Sequence, residues 1–279
     1  MELTHQQVLS VLPDRKVAAH KGDFGRVLLL CGSRGYTGAA WFSAMGALRT
    51  GAGLVYLGVP ESIYAIEAMK LNEPIVFPLP GEDGKLSKDA IDEIKDLLPK
   101  MDAVLIGPGL GISNGTSQVV TWVLKNYSGP VVVDADGINV LSSHMDVLRE
   151  RRFPTILTPH PSEFSRIGGD TSADREKVAV EFAKNNHCIL VLKGHRTVIT
   201  DGTHCCINPT GNPGMAVGGS GDVLAGMIVS LIGQGIDPFL AAACAVYLHG
   251  AAGDICAKEK GQYGMLPSDM VEALPRLLK

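Results

Sequence analysis

The chain has 279 residues, 46% of them apolar and 19% charged, with a formal net charge of −4. That composition supplies a large core and excludes a disordered chain, and the mild acidity leaves no overall electrostatic footprint for nucleic acid. Residues 1–20 contain Asp14, Arg15 and Lys16 and lack the apolar core of a secretion signal, and Gly233-Gln234-Gly235 and Asp237-Pro238 cut the most apolar region, 223–257, into pieces expected to be too short for a bilayer.

A cytoplasmic protein with no membrane partner is expected. Cys31, Cys188, Cys205, Cys206, Cys244 and Cys256 form no C-x-x-C pair and no Cys/His spacing of a zinc site, so they are expected to be reduced and mostly buried. Cys205 and Cys206 would face opposite sides of a strand. No Pro/Ser-rich or charge-run linker divides the chain, which reads as one domain over 1–279.

In chain order, short runs of apolar residues alternate with helical patterns. The run 26–31 (RVLLLC) reads as a strand buried on both faces, followed by an alanine-rich helix over 35–51. Further strands are expected at 54–59, 75–78, 103–106, 131–134, 155–158 and 189–193. Helices are expected between them at 63–71, 87–98, 116–126, 139–149 and 173–185. Strands that are apolar throughout belong in a parallel sheet covered on both faces. After Lys193 the pattern changes. Segments 197–200 and 204–207, joined by Asp201-Gly202, read as a β-hairpin with a tight type I′ turn. Helices at 222–232, 238–257 and 268–278 complete the chain.

In open α/β sheets ligands bind beyond the carboxyl ends of the strands. Those ends carry Gly32-Ser33-Arg34, Gly107-Pro108-Gly109-Leu110-Gly111, Asp134-Ala135-Asp136-Gly137, Pro159-His160-Pro161-Ser162-Glu163 and Lys193-Gly194-His195-Arg196. The strongest single signal is the run from Asn212 to Asp222, whose Gly218-Gly219-Ser220-Gly221 opens an apolar helix. Closely spaced glycines let backbone N–H groups converge, and the helix start adds partial positive charge, which together suit a phosphoryl group. Asp222 at that point either caps the helix or does chemistry, and the glycines before it favour chemistry. The dipole and the N–H groups predict an ionised carboxylate at neutral pH, a weak base that would serve by orienting a hydroxyl for phosphoryl transfer.

No G-x-x-x-x-G-K-[ST] occurs, so a P-loop is excluded. Gly107–Gly111 predicts close backbone approach to a ligand. His160 and Glu163 either touch a ligand or a Mg²⁺ water shell, or merely form a rigid turn. One of Asp134 and Asp136 lines the site while the other holds a turn. Lys193 and Arg196 are expected to hold a nucleotide phosphate, with surface snorkelling as the alternative.

These stretches, together with His20–Arg26, Gly35–Ala40 and Val191–Gly194, resemble in order the ADP/ATP-dependent NAD(P)H-hydrate dehydratases of the ribokinase-like superfamily. The resemblance implies a three-layer ribokinase-like fold, with a mostly parallel central sheet and helices on both faces. It implies that an adenine nucleotide, ADP or ATP with Mg²⁺, phosphorylates the ring hydroxyl of (6S)-NADHX or (6S)-NADPHX, and that loss of phosphate restores NADH or NADPH. By motif position, Asp222 is the base and Gly219, Ser220 and Gly221 the anion hole. Ala40, Gly109 and His160, with Asp222, would contact the hydrate. Lys193, Gly194, His195, Arg196, Thr197 and Gly221 would hold the nucleotide. His160 and Glu163 stand where many ribokinase-like kinases carry Asn-x-x-Glu near Mg²⁺, so Glu163 is expected to reach the metal through water. The resemblance also implies a homo-oligomer, a tetramer. Some relatives carry a fused epimerase, and since about twenty residues precede the first strand, the NAD(P)HX epimerase is expected to be a separate protein. The competing readings are a vitamin-precursor kinase of the same superfamily and a nucleotide sensor without turnover.

Overall fold

The structure, a computed structural model, describes residues 3–278. In chain order its elements are α1 (His5–Val11), β1 (Arg26–Leu30), α2 (Thr37–Arg49), β2 (Leu54–Pro60), α3 (Glu61–Lys70), β3 (Ile75–Leu79), β4 (Gly81–Glu82), β5 (Lys85–Leu86), α4 (Ala90–Leu97), β6 (Ala103–Ile106), α5 (Asn114–Asn126) and β7 (Val131–Val133). There follow α6 (Asp136–Leu141), α7 (Asp146–Glu150), β8 (Thr155–Leu157), α8 (Pro161–Arg166), α9 (Arg175–Asn185), β9 (Ile189–Leu192), β10 (Val198–Thr200), β11 (Cys205–Ile207), α10 (Ser220–Gly233), α11 (Pro238–Lys260) and α12 (Pro267–Ala273).

One sheet orders its strands β11-β10-β9-β8-β7-β6-β1-β2-β3. From β3 to β9 every pairing is parallel, and β10 and β11 are added antiparallel. Each buried strand feeds two cores because its side chains alternate. Val27, Leu29 and Cys31 join a core with α1, α2, α10, α11 and α12, whereas Leu28 and Leu30 join a second with α4 to α9. This is the three-layer, mostly parallel architecture that the apolar strands predict.

The differences have local causes. The 139–149 segment is two short helices, α6 and α7, broken at Ser142, whose hydroxyl turns back onto the Asn139 carbonyl (2.7 Å). Helix α1 was not expected, although Thr4 and Gln7 form its capping box and the T-x-x-Q spacing is visible in the sequence. The last helix stops at Ala273 and tightens into a 3₁₀ turn at Leu274–Arg276 around Pro275. The late hairpin is present, but its turn is not a two-residue type I′. Thr200 pairs with Cys205 across four loop residues, and Asp201 Oδ1 accepts from the Thr203 and His204 amides at 2.7 and 2.6 Å. The Asp side chain organises the turn where positive φ at both central residues was expected. Cys205 and Cys206 do face opposite cores.

The expectation that 223–257 breaks into pieces too short for a bilayer is also corrected. Helix α11 runs for 23 residues and is long and apolar enough by composition. Two thirds of its most apolar window is buried against the rest of the chain, with α10, α12 and α1 as neighbours. It is the core helix of this layer.

Helices α2 and α10 are in unusually close contact. A side chain on Gly46 would meet the Val223 carbonyl at 2.5 Å, and one on Gly226 would collide with the Ser43 carbonyl. The two backbones touch there because neither carries a Cβ.

Candidate active site

The strand order reverses between β1 and β6, and the N-terminus of α10 comes down over the strand ends beside that switch point. Strand β7 delivers Asp134, β8 delivers Thr158 and β9 delivers Lys193. Thr158 Oγ1 donates to Asp134 Oδ1 (2.7 Å), and Lys193 Nζ donates to the same oxygen (2.9 Å). The pair is largely out of water, the Asp134 and Lys193 side chains being 2% and 21% exposed. Burial opposes the charge on Lys193, but Asp134, Glu163 and Asp222 around it outweigh that and raise its pKa. Gly221 sits against this pair, since a Cβ on it would lie 3.3 Å from Lys193 Nζ and 3.8 Å from Asp134 Oδ2.

The N-cap of α10 is Gly219, at φ 99°, which has no side chain to cap with, and the Phe42 ring packs 2.6 Å from where its Cβ would be. Asp222 is the third residue of the helix, and the capping alternative is not the one observed. The expectation of a fully ionised Asp222 is overturned. Burial, then the neighbouring Asp134, then Asp136 and Glu163, push its pKa up to about 7, and Lys193 opposes them only in part. Desolvation and like charge outweigh the helix dipole here. The consequence is a stronger base than the sequence suggested, one that titrates near neutrality.

Ser220 is placed differently from its two glycine neighbours. Its amide donates to the Val217 carbonyl (3.2 Å), and its own carbonyl accepts from His249 Nε2 (2.9 Å), with its hydroxyl 3.5 Å from the same nitrogen. The open amides at this helix start are those of Gly219, Gly221 and Asp222. His249, on α11, is buried, and burial drives its pKa down to about 4, so it stands as a neutral Nε2–H donor.

His160 and Glu163 form a reciprocal cap on α8. His160 Nδ1 accepts from the Ser162 and Glu163 amides (3.1 and 3.3 Å), and Glu163 Oε2 accepts from the His160 amide (2.9 Å). They form a rigid turn, but Glu163 is buried beside the cluster rather than exposed. Asp136 accepts from the Gly111 amide (2.8 Å) and thereby holds the 107–111 loop, while Asp134 lies within the cluster. Gly109 is at φ 62° and a Cβ there would meet Ala39 at 2.6 Å; its carbonyl accepts from Ser33 Oγ (2.7 Å). Ala40 is wholly buried, its methyl against Gly32.

Of the stretch expected to hold a nucleotide, Lys193 points inward to Asp134, His195 and Arg196 are exposed, and Thr197 is buried with its hydroxyl on the Gly194 carbonyl (2.9 Å). Sequence reasoning gave no separate role to Thr158 or His249. His249 alone left a signal, a histidine within an otherwise small and apolar helix. A surface groove of about 620 Å³ between α4 and α5 shares no residue with this cluster.

Residues 27–276 match the sequence model of a family described as NAD(P)H-hydrate dehydratase. The bifunctional NAD(P)H-hydrate repair enzyme of Moorella thermoacetica is 45% identical over 284 residues, 99% of this chain and 53% of that one. The chain spans about half the length of the first curated relatives it matches. The ADP-dependent (S)-NAD(P)H-hydrate dehydratase of Bacillus subtilis is 36% identical and is covered almost end to end, 99% of this chain and 97% of that one. A crystal structure of the Bacillus subtilis ADP/ATP-dependent NAD(P)H-hydrate dehydratase, grown with ATP and Mg²⁺, superposes with a TM-score of 0.82 at 33% identity, covering 98% and 96% of the two chains. A ribokinase-like superfamily protein of Enterococcus faecalis superposes with a TM-score of 0.87 at 29% identity, covering 99% and 94%.

Proposed function

The chain belongs to the NAD(P)H-hydrate dehydratase family, and from that premise we propose that it uses ADP or ATP to dehydrate (6S)-NADHX and (6S)-NADPHX. The observation that carries the reading is Asp222, a carboxylate with its pKa at about 7, three residues into a glycine-opened helix and beside the Lys193–Asp134 pair. A base titrating near the working pH is well matched to accept the hydroxyl proton of the hydrate. The oxygen so freed attacks the terminal phosphorus of the nucleotide, the bond from that phosphorus to the bridging oxygen breaks to release AMP from ADP or ADP from ATP, and the amides of Gly219, Gly221 and Asp222 receive the charge on the transferred group. Hydroxide is a poor leaving group and phosphate a good one. The ring nitrogen's lone pair expels phosphate as the carbon–oxygen bond breaks, and the iminium so formed loses a proton from the adjacent ring carbon to restore the reduced nicotinamide.

Buried Asp134 and Glu163 supply the hard oxygen donors that suit Mg²⁺; Glu163 would hold the ion through water, and the ion would neutralise charge on the phosphates. Ala40, Gly109 and His160 would line the hydrate side, and the 193–197 turn the nucleotide side. We extend the reading to a homotetramer in the cytoplasm that works together with an NAD(P)HX epimerase activity. The resemblance supports the tetramer, and thiols that form no disulfide among the described residues are consistent with a reducing compartment. Sedimentation of the purified chain tests the assembly.

The activity is tested by incubating the chain with NADHX, Mg²⁺ and either nucleotide while following the absorbance of reduced nicotinamide. Its appearance supports the reading. A hydrate that persists while a hydroxymethyl vitamin precursor is phosphorylated would replace it with the kinase reading.

A further inference from the structure

Arg175, the first residue of α9, takes no part in the chemistry above, yet its guanidinium is turned onto the loop that leaves β9. Nη2 donates to the carbonyls of Leu192 and Lys193, both at 2.6 Å, and Nη1 to that of His195 at 2.9 Å. No carboxylate lies within ion-pair distance of it among the described residues. Gly194 makes the approach possible, because a Cβ there would sit 2.9 Å from Nη2 and 3.1 Å from Nη1. A second observation comes from the backbone. Gly194 has φ 143° and Arg196 is held at φ 55°, a left-handed conformation that is strained for a residue with a side chain and persists only where its surroundings impose it.

The direction of the loop's amides follows from peptide geometry. In a planar trans peptide the C=O and the next N–H point opposite ways. With the Leu192 carbonyl drawn to Arg175, the Lys193 amide must point away from α9, and it does, donating to the Pro159 carbonyl (2.9 Å). The Lys193 and His195 carbonyls are held in the same manner, which directs the Gly194 and Arg196 amides away from α9 as well. A guanidinium fork can bind several carbonyls at fixed angles where an ammonium cannot.

We infer that Arg175 is a positioning residue that preorganises the 193–197 turn to receive the phosphates of a nucleoside di- or triphosphate. The inference rests on the functional reading above for the identity of the ligand, but the ordering of the turn does not depend on it. Preorganisation lowers the cost of binding rather than the barrier to chemistry.

The test uses the full chain with Arg175→Met and Arg175→Lys. In the absence of ligand, amide hydrogen exchange across 193–197 should accelerate in both, more in the Met variant. The nucleotide KM should rise about tenfold or more, with kcat at saturating nucleotide within about threefold and the hydrate KM unchanged, the pattern of lost binding without lost transition-state contact. The Lys variant should fall between, and it carries the test if the Met variant does not fold. Folded variants with unchanged exchange and unchanged nucleotide KM would overturn the inference, as would a fall in kcat with KM intact. If the wild-type chain binds neither ADP nor ATP, the functional reading fails, while the exchange comparison still decides whether Arg175 orders the turn.

Discussion

Replacing Asp222 with Asn sets stability against activity. In the native state the carboxyl has its pKa raised from 3.8 to about 7 by burial and by Asp134. Between those values the native state holds a proton that the unfolded chain has released, so stability falls as pH rises through the window. At about 1.36 kcal/mol per unit over roughly three units, the native state is destabilised by up to about 4 kcal/mol once the group is ionised. Asn is nearly isosteric and uncharged and removes that penalty. Asp222→Asn should therefore be more stable than wild type by about 2–4 kcal/mol at pH 8–9 and nearly equal to it at pH 4, with a Tm gain of roughly 2 °C per kcal/mol. Turnover should drop by roughly 10²–10⁴-fold, the range for losing a general base. The assay is urea unfolding at the two pH values beside steady-state turnover on the same preparation. An Asn variant that is less stable at pH 8 and turns over like wild type would refute both the burial argument and the catalytic assignment.

Lys193→Met removes the partner of buried Asp134 and should cost about 3 kcal/mol, measured as a denaturant midpoint. Because Lys193 holds the Asp222 pKa down, the rise of kcat/KM with pH, set near 7 in wild type, should move to higher pH in that variant. His249 has its pKa lowered from 6.5 to about 4, so the native state binds fewer protons than the unfolded chain between those values, and stability is lost as pH falls through them. His249→Gln keeps a donor for the Ser220 carbonyl but does not titrate. Its unfolding midpoint should change less than that of wild type between pH 6.5 and 4.5, and equal slopes would show that His249 is not buried as a neutral group.

Much of the architecture is legible because it rests on one repeated device. Strands that are apolar on both faces, such as Val27–Leu30, have only one stable home, a sheet covered on both sides. The glycines before Asp222 likewise mark the helix start and its anion-facing amides without reference to anything distant. What the sequence hides is set by long-range proximity. The basicity of Asp222 depends on Asp134, and the inward turn of Lys193 depends on that same carboxylate, 59 positions away in the chain. Ser220 looks like its glycine neighbours until α11 brings His249 against it. Arg175 gives no local sign of its role, since its partners are carbonyls, which every residue has. The type I′ expectation for Asp201-Gly202 failed for the opposite reason, because a local side-chain bond replaced the backbone conformation that the dipeptide favours.

The contact between α2 and α10 has a consequence for how this protein can vary. Helix α2 carries Ala40 beside the loop expected to meet the hydrate, and α10 carries Asp222. Where they cross, Gly46 and Gly226 bring main chain directly against main chain. The spacing between the two halves of the site is thus gauged by covalent geometry, and exchanges among the surrounding apolar side chains leave it unaltered. Lineages can drift in the core without detuning the reach of the carboxylate, whereas a single methyl at position 226 would wedge the halves apart. Any closure over bound ligands must accordingly come from the loops at the mouth, because the frame beneath them has no slack to give.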